Sequence, residues 1–293
     1  MDMDLPVQAL RISVPYVLAA LGGVVSERSG VINIGLEGMM LVGAFGTVVG
    51  TLATGSPLMG LVLGLTAGLV LAVLHAVVTG FFRADHIVSG LAVNLFAAGA
   101  TRVLLKRLYH SSSNSPRIEG VTSLATDSSL LALLTHPLVW TTVALVAAVW
   151  WLLNRTVLGL RLSAAGEHPE AAAAAGLRVL RLRTTGVLLS GLLAGLAGVW
   201  LAFDQHQFTD GMSGGRGYIA LAAMIFGKWR PVPAAAACVL FGGAEAVQMA
   251  LQGGGGGIPV QLVQTLPYVL TLVALAGAIG RARPPAAVGK PYP

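Results

Sequence analysis

Long, nearly uncharged apolar runs restrict this chain to very few kinds of fold. About eight of them approach the 20 or so residues that an α-helix needs to cross the hydrocarbon core of a bilayer. Charged residues make up only 10% of the 293 residues, whereas a soluble domain carries about 25%. The runs are continuous rather than alternating, which is not the pattern of membrane β-barrel strands. The sequence therefore predicts an all-α polytopic membrane protein.

These apolar runs define the predicted membrane segments. They cover residues 5–25, 31–53, 58–82, 87–105, 137–153, 185–203, 234–252 and 260–280. Another apolar stretch, 217–227, is too short to cross the bilayer unless it is tilted, broken or joined to its flanks. We therefore expect about eight transmembrane helices with broken or re-entrant segments. They form a single domain over residues 1–283, followed by a basic, proline-rich tail at 284–293.

Basic residues predict the orientation of the chain. If the spans alternate, twelve of the 18 Lys and Arg fall on one side, and loops rich in these residues face the cytoplasm. This places the loop at about 155–184 and the C-terminus inside, and the short N-terminus outside. Cytoplasmic loops also explain the net charge of +6, so we expect no nucleic-acid partner. The twelve are Arg28, Arg83, Arg155, Arg161, Arg178, Arg181, Arg183, Lys228, Arg230, Arg281, Arg283 and Lys290.

The chain lacks the motifs of several enzyme and metal-site classes. No G-x-x-x-x-G-K-[ST] phosphate loop occurs, so we expect no ATPase site on this chain. No two histidines have the H-E-x-x-H spacing, and Cys238 is the single cysteine, so we expect no metal site, disulfide or bound cofactor. No residues have the arrangement of a nucleophilic catalyst. The sequence therefore predicts a non-enzymatic protein.

Polar residues interrupt the apolar pattern most clearly at 27–43, ERSGVINIGLEGMMLVG. An ionisable side chain inside a membrane costs about 2.5–3.5 kcal/mol on insertion scales and usually faces a partner or a cavity. Asn33 and Glu37 are four residues apart, so they share a helix face if 31–53 is helical. Three interpretations stay open for Glu37: hydrogen bonds to a solute, a helix–helix bond that fixes packing, or a pair with a basic group.

Other polar residues within spans are candidates for the lining of a solute path. Asn94 lies in the fourth run, and Glu245 and Gln248 lie three residues apart in the 234–252 run, again on one face. Each alone is typical of a packing contact, but together they suit a neutral, hydroxyl-rich solute. Gly214, Gly215 and Gly217, around the start of the short apolar stretch, suit equally a half-helix that begins at such a path and a tight re-entrant turn without solute contact.

A short helix is predicted within the basic loop, at 169–175. Pro169 at its first turn and Gly176 after its end are the expected boundaries. Glu167 and Glu170 lie near its N-terminus, where the helix dipole favours negative charge, and five consecutive alanines favour the helix. Two interpretations stay open: a knob that docks on a soluble partner, or a plain interfacial helix.

This loop and two other stretches resemble a known family. Glu170, Ala171, Ala172 and Gly176 match the EAA-x-x-x-G core of the cytoplasmic loop in ABC importer permeases, without the Ile-x-Leu-Pro that often follows. ALGGVVSERSGVINIGLEGMMLVGA at 20–44 and GRGYIALAAMIFGKWRP at 215–231 resemble signatures of the nucleoside and simple-sugar permeases. LPYVLTLVAL at 266–275 is similar to their last span. The first stretch resembles the nucleoside branch most.

The resemblance implies a subunit of an importer in a bacterial-type cytoplasmic membrane. Its partners would be an ATP-binding subunit that holds ATP and Mg²⁺, a second permease (a paralogue or a copy of this chain) and an extracytoplasmic substrate-binding lipoprotein. Coupling to the ATPase would fall on Glu167, Pro169, Glu170, Ala171, Ala172 and Gly176. The resemblance leaves open whether the solute is a nucleoside or a sugar. An alternative function is an ion- or proton-coupled secondary transporter in which Glu37 or Glu245 titrates.

Overall fold

The computed structural model of the chain describes residues 4–120, 136–253, 265 and 283–292. Within these residues it contains helices and no β-strand. The helices are α1 (Asp4–Arg28), α2 (Leu36–Thr54), α3 (Pro57–Gly80), α4 (His86–Tyr109), α5 (Pro137–Arg155), α6 (Val157–Glu167), α7 (Pro169–Ala174), α8 (Val179–Gln205), α9 (Arg216–Phe226) and α10 (Pro231–Gly253).

Seven of the described helices, α1 to α5, α8 and α10, are long and apolar enough to cross a membrane. This confirms the predicted all-α polytopic membrane fold. Helix α9 is apolar but has only 11 residues, so it is the short segment expected at 217–227. The predicted span at 260–280 lies outside the described residues. Seven is therefore the number of membrane helices in the described part of the chain alone.

Helices α1 and α8 form the centre of the bundle. Their most apolar windows are 78% and 83% buried, against 28% in α4 and 22% in α5. Small residues allow this close packing, as is common between membrane helices. A Cβ on Gly43 of α2 would lie 2.6 Å from the carbonyl oxygen of Gly195 in α8. Helices α4 and α5 instead expose large apolar side chains such as Leu95, Phe96 and Trp151, which suits contact with lipid.

The ends of two helices mark one end of the bundle. Helix α1 ends at Arg28 beside α6, because a Cβ on Gly166 would lie 2.3 Å from the carbonyl oxygen of Arg28. Helix α9 ends near the same level, because Trp229 just after it donates a 2.6 Å hydrogen bond to Glu27. We call this the coupling end, since it carries the predicted coupling loop.

The predicted helix at 31–53 begins five residues later than expected, at Leu36. Two buried histidines hold the backbone of Ile32 outside a helix: the His75 Nε2 atom lies 3.0 Å from its carbonyl oxygen, and its N–H donates to His86 at 3.4 Å. Non-helical backbone is stable at membrane depth only where protein satisfies its polar groups in this way. We call residues 29–35 the backbone break.

This correction changes the relation between two of the predicted site residues. Asn33 lies in the backbone break, while Glu37 lies in the first turn of α2. The prediction that both share one helix face was therefore wrong. Periodicity could not detect the break, because the side chains that bind the backbone of Ile32 and Ile34 come from α3 and α4, which are distant in sequence.

Candidate functional site

Glu37 joins the N-termini of two helices. Its two carboxylate oxygens accept hydrogen bonds from the backbone N–H groups of Gly215 and Gly217, each at 2.7 Å. These donors lie at the start of α9, and Glu37 itself lies in the first turn of α2, so both helix dipoles favour its negative charge. A Cβ on Gly217 would lie 2.6 Å from the Glu37 nitrogen, so only glycine fits. These contacts are the ones expected from the packing interpretation of Glu37.

Asn94 of α4 is bonded to three separate parts of the chain. Its Oδ1 accepts from the Gly38 N–H at 2.8 Å. Its Nδ2 donates to the Ile34 carbonyl and to the Tyr218 hydroxyl, each at 3.0 Å. The side chain is only 9% exposed. Asn94 therefore fixes the backbone break and the starts of α2 and α9 against one another.

Asn33 is fully buried in the backbone break. Its Nδ2 donates to Ser190 of α8 at 2.9 Å. Its Oδ1 has no hydrogen-bond partner in the described part of the chain. A buried polar atom without a partner costs about 1–3 kcal/mol. Asn33 thus differs from Glu37 and Asn94 in having an unused acceptor.

Glu245 of α10 has two partners that the sequence analysis did not anticipate. It accepts a hydrogen bond from Tyr16 of α1, and it forms a 3.5 Å ion pair with Arg216 at the start of α9. Gln248 lies on the next turn of α10 and is half-buried. A cation next to a short apolar helix is itself a signal for an intramembrane pair, so Arg216 could have been identified as a candidate partner.

These groups lie in one layer near the middle of the long helix α1. Helix α9, with its 11 residues, is about 16 Å long, and Tyr16 precedes the end of α1 by about 18 Å of helix. Both helices end at the coupling end, and the hydrocarbon core is about 30 Å thick. The structure therefore brings Glu37, Asn94 and Glu245 to a common depth around the start of α9. We call this the polar layer.

A cavity of about 540 Å³ opens on the side of the polar layer away from the coupling end. The ends of α1, α8 and α10 line it, together with the side chain of Arg216. Arg11 and Asp204 form an ion pair at its wall, and Trp200, Gln8 and Gln205 contribute further polar or aromatic groups. Its volume falls in the range of small-molecule sites, about 300–1,000 Å³.

The predicted short helix is present as α7, and Gly176 follows it in a left-handed conformation, with φ of +83°. Ala172 faces inward and packs with Ala165 and Val179, whereas Glu170 and Ala171 are exposed. Pro169 occupies the first turn. Helix α7 therefore presents a small, smooth outer face with an acidic residue at its start.

Glu167 has a hydrogen-bond partner that the sequence analysis did not identify. It is the last residue of α6, and its carboxylate accepts a 3.1 Å hydrogen bond from the Ala286 N–H. Its partner is thus a residue of the C-terminal tail, more than a hundred positions away in sequence. Sequence reasoning had no local signal for this contact.

Known proteins similar to this chain are transport permeases. A family model described as the permease component of the branched-chain amino acid transport system matches residues 5–275. The guanosine ABC transporter permease protein NupQ of Bacillus subtilis is 38% identical over 295 residues, which covers 95% of this chain and 92% of that protein. The nucleoside ABC transporter permease protein NupC of Lactococcus lactis is 37% identical over 307 residues, covering 96% and 93%.

A sugar permease is also similar along most of its length. The putative glucose ABC transporter permease protein TsgC13 of Haloferax volcanii is 32% identical over 299 residues, covering 90% of this chain and 88% of that protein. The match to the family model, over residues 5–275, extends from the first helix through the polar layer and α7. The resemblance inferred from the signature stretches is thereby confirmed. This chain belongs to the family of nucleoside and simple-sugar ABC transporter permeases.

Proposed function

We propose that this chain is the permease subunit of an ATP-driven importer that carries nucleosides across a bacterial cytoplasmic membrane. The observation that carries the choice of solute is the near-complete match to permeases named for guanosine and for nucleosides at 38% and 37% identity. The glucose permease is more distant, at 32%. Nucleosides are the favoured solute class, and sugars are the competitor that an experiment must exclude.

The outer face of α7 is proposed as the docking surface for an ATP-binding subunit. Its exposed Glu170 and Ala171 protrude from the coupling end, while Ala172 anchors the helix to the rest of the chain. A smooth alanine face allows close approach to a groove on a partner. That partner would bind ATP with Mg²⁺ and hydrolyse the ATP, so this chain contributes the docking contact and the movement.

The cavity and the polar layer are proposed as part of the solute path. The Arg11–Asp204 pair compensates its own charges, which suits a neutral solute with many hydroxyl groups. Trp200 borders the cavity, and an indole ring is a good partner for the flat base of a nucleoside. Asn33, in the backbone break next to the polar layer, has an unused acceptor and is proposed to accept a hydrogen bond from a solute. Glu245 and Gln248 lie close to the same path.

The remaining subunits follow from this role. A second permease, either a paralogue or a copy of this chain, would complete the path across the membrane. An extracytoplasmic substrate-binding lipoprotein would deliver the solute to the end that carries the cavity. The lipid-facing surfaces of α4 and α5 would lie away from this second permease.

The test is uptake by a reconstituted complex. We would purify the tagged chain from its native membrane in mild detergent, identify the proteins that accompany it, and measure uptake of labelled guanosine into proteoliposomes containing ATP. We expect uptake that requires ATP and is inhibited by unlabelled nucleosides but not by glucose. Uptake of glucose alone would overturn the choice of solute. Uptake that does not require ATP and stops when the proton gradient is dissipated would favour the secondary transporter instead.

Charge reversal tests the docking surface in the same assay. Glu170→Arg should lower uptake at least tenfold, because it places a cation on the docking face and against the helix dipole. The matched control is Glu119→Arg, which reverses an exposed charge on the loop at the other end of the bundle. Equal uptake by both variants and the wild type would contradict docking through α7.

A further inference from the structure

The C-terminal residues 286–292 form an ordered segment at the coupling end, which we call the C-terminal strap. Its backbone N–H groups reach two other parts of the chain. Ala287 donates to the Gly166 carbonyl at 2.9 Å, and Gly289 donates to the Gly30 carbonyl at 3.1 Å. Ala286 donates to the Glu167 carboxylate. The strap is therefore bonded to the end of α6, just before α7, and also to the backbone break.

Arg183 of α8 binds the strap through its buried side chain. Its side chain is 4% exposed, and it donates to the carbonyl oxygens of Lys290 at 2.6 Å and Ala287 at 3.5 Å. Its guanidinium also lies 5.7 Å from the ring centre of Tyr292. Among the described residues no carboxylate lies within 4.0 Å of it. A buried cation needs acceptors, and here the strap supplies them.

Tyr292 connects the strap to the base of α7. It packs against the small cluster that holds Ala172 and Val179. It also lines a narrow crevice together with Val31 of the backbone break and His86. One side chain thus packs against the support of the proposed docking helix and faces a crevice that the backbone break also lines.

The composition of the strap suits a short, stiff connection. Pro285 precedes a turn closed by the Val288 N–H at 3.1 Å, and Pro291 follows it. Proline restricts the unbound chain, so less conformational entropy is lost when the segment is ordered. A stiff segment transmits a displacement, whereas a flexible one absorbs it.

We propose that the C-terminal strap transmits movement of the coupling loop to the backbone break, with Arg183 as its positioning residue. This role depends on the proposed function, in which an ATP-binding subunit moves α7. Displacement of α6 and α7 would pull the strap through Gly166 and Tyr292, and the strap would pull Gly30. Asn33 and Glu37 follow directly in sequence, so the displacement reaches the polar layer. The rival is direct contact alone, since Gly166 already packs against Arg28.

Hydrogen exchange on the purified full-length permease tests, without any transport assay, whether the C-terminal strap holds the backbone break and the end of α6. Truncation after Pro285 and the Tyr292→Ala variant should both speed exchange of the amides at 30–35 and 165–168 at least tenfold, with little change elsewhere. Lys290→Ala is the matched control, because Arg183 bonds to the backbone carbonyl of Lys290 and not to its side chain. Unchanged exchange at 30–35 in the truncated chain would overturn the proposal.

The second measurement is the number of solutes carried per ATP hydrolysed by the reconstituted complex. Tyr292→Ala should lower this ratio at least fivefold while the ATPase rate and the subunit composition stay as in the wild type, and Tyr292→Phe should restore it. Arg183→Lys keeps the charge but loses the forked geometry, so its ratio of solutes carried per ATP should lie between those of Tyr292→Ala and Tyr292→Phe. An unchanged ratio would overturn the proposed role of the strap and favour transmission through the direct contact of Gly166 with Arg28. If the wild-type complex carries no nucleoside, the proposed function is wrong. The exchange experiment still shows whether the strap holds residues 30–35 and 165–168.

Discussion

The backbone break and the coupling loop at 155–184 both interrupt the series of long helices. They differ in what determines their structure: contacts with distant residues in the first and local sequence in the second. In the break, the backbone groups of Ile32 and Ile34 are hydrogen-bonded to histidine and asparagine side chains of α3 and α4. In the coupling loop, α7 ends by local rules, with proline at its start and glycine after its end. The first is defined by tertiary contacts and the second by its own sequence. Substitutions should therefore destabilise the first more than the second.

The largest effect on stability is expected at Glu37. Glu37→Ala removes the acceptor of two backbone N–H groups at the start of α9, and charge-assisted hydrogen bonds contribute about 1.5–3 kcal/mol each. We expect a loss of about 3 kcal/mol in the free energy of unfolding, seen as a lower Tm in detergent. Glu119→Ala, on an exposed loop, is the control. An unchanged Tm together with abolished uptake would show instead that Glu37 binds the solute.

Asn94 should give the next largest effect. Asn94→Ala removes three hydrogen bonds, each with a net contribution of about 1 kcal/mol, so we expect a loss of about 2–3 kcal/mol. A double-mutant cycle with Tyr218→Phe isolates one of these bonds, with a coupling energy of about 1 kcal/mol. The measurement is chemical unfolding of all four proteins. Strict additivity would contradict the Asn94–Tyr218 bond.

The sequence predicted the coupling loop better than the polar layer for a physical reason. Apolar length, proline and glycine are local signals, so the membrane helices, the short α9 and α7 were all foreseen. The start of α2 was not, because His75 lies in another apolar run, His86 lies just before the next one, and both act on Ile32 across space. Arg216 and Tyr16 were missed as partners of Glu245 for the same reason. A sequence marks a polar residue as costly in a membrane without naming the partner that compensates it.

A smaller effect is expected at the end of α7. Gly176 has a left-handed backbone and open space around it, so a new side chain meets no neighbour and only the conformation is strained. Gly176→Val should cost about 1–2 kcal/mol, and Gly176→Asn should cost clearly less, because asparagine tolerates this conformation. Thermal unfolding of the two variants measures the difference. Equal losses would imply that the loop is stabilised by contacts, as the break is.

The smallest effect on stability is expected at Glu170, and it is the one that separates the two regions functionally. Its side chain is exposed, and exposed substitutions usually change stability by less than about 0.5 kcal/mol. Glu170→Ala should therefore unfold at the wild-type temperature. If ATP-driven uptake nevertheless falls, the loss must arise from a contact outside this chain, because nothing within it has been weakened. A lowered Tm would contradict this, and would make α7 part of the packed bundle rather than a surface for a partner.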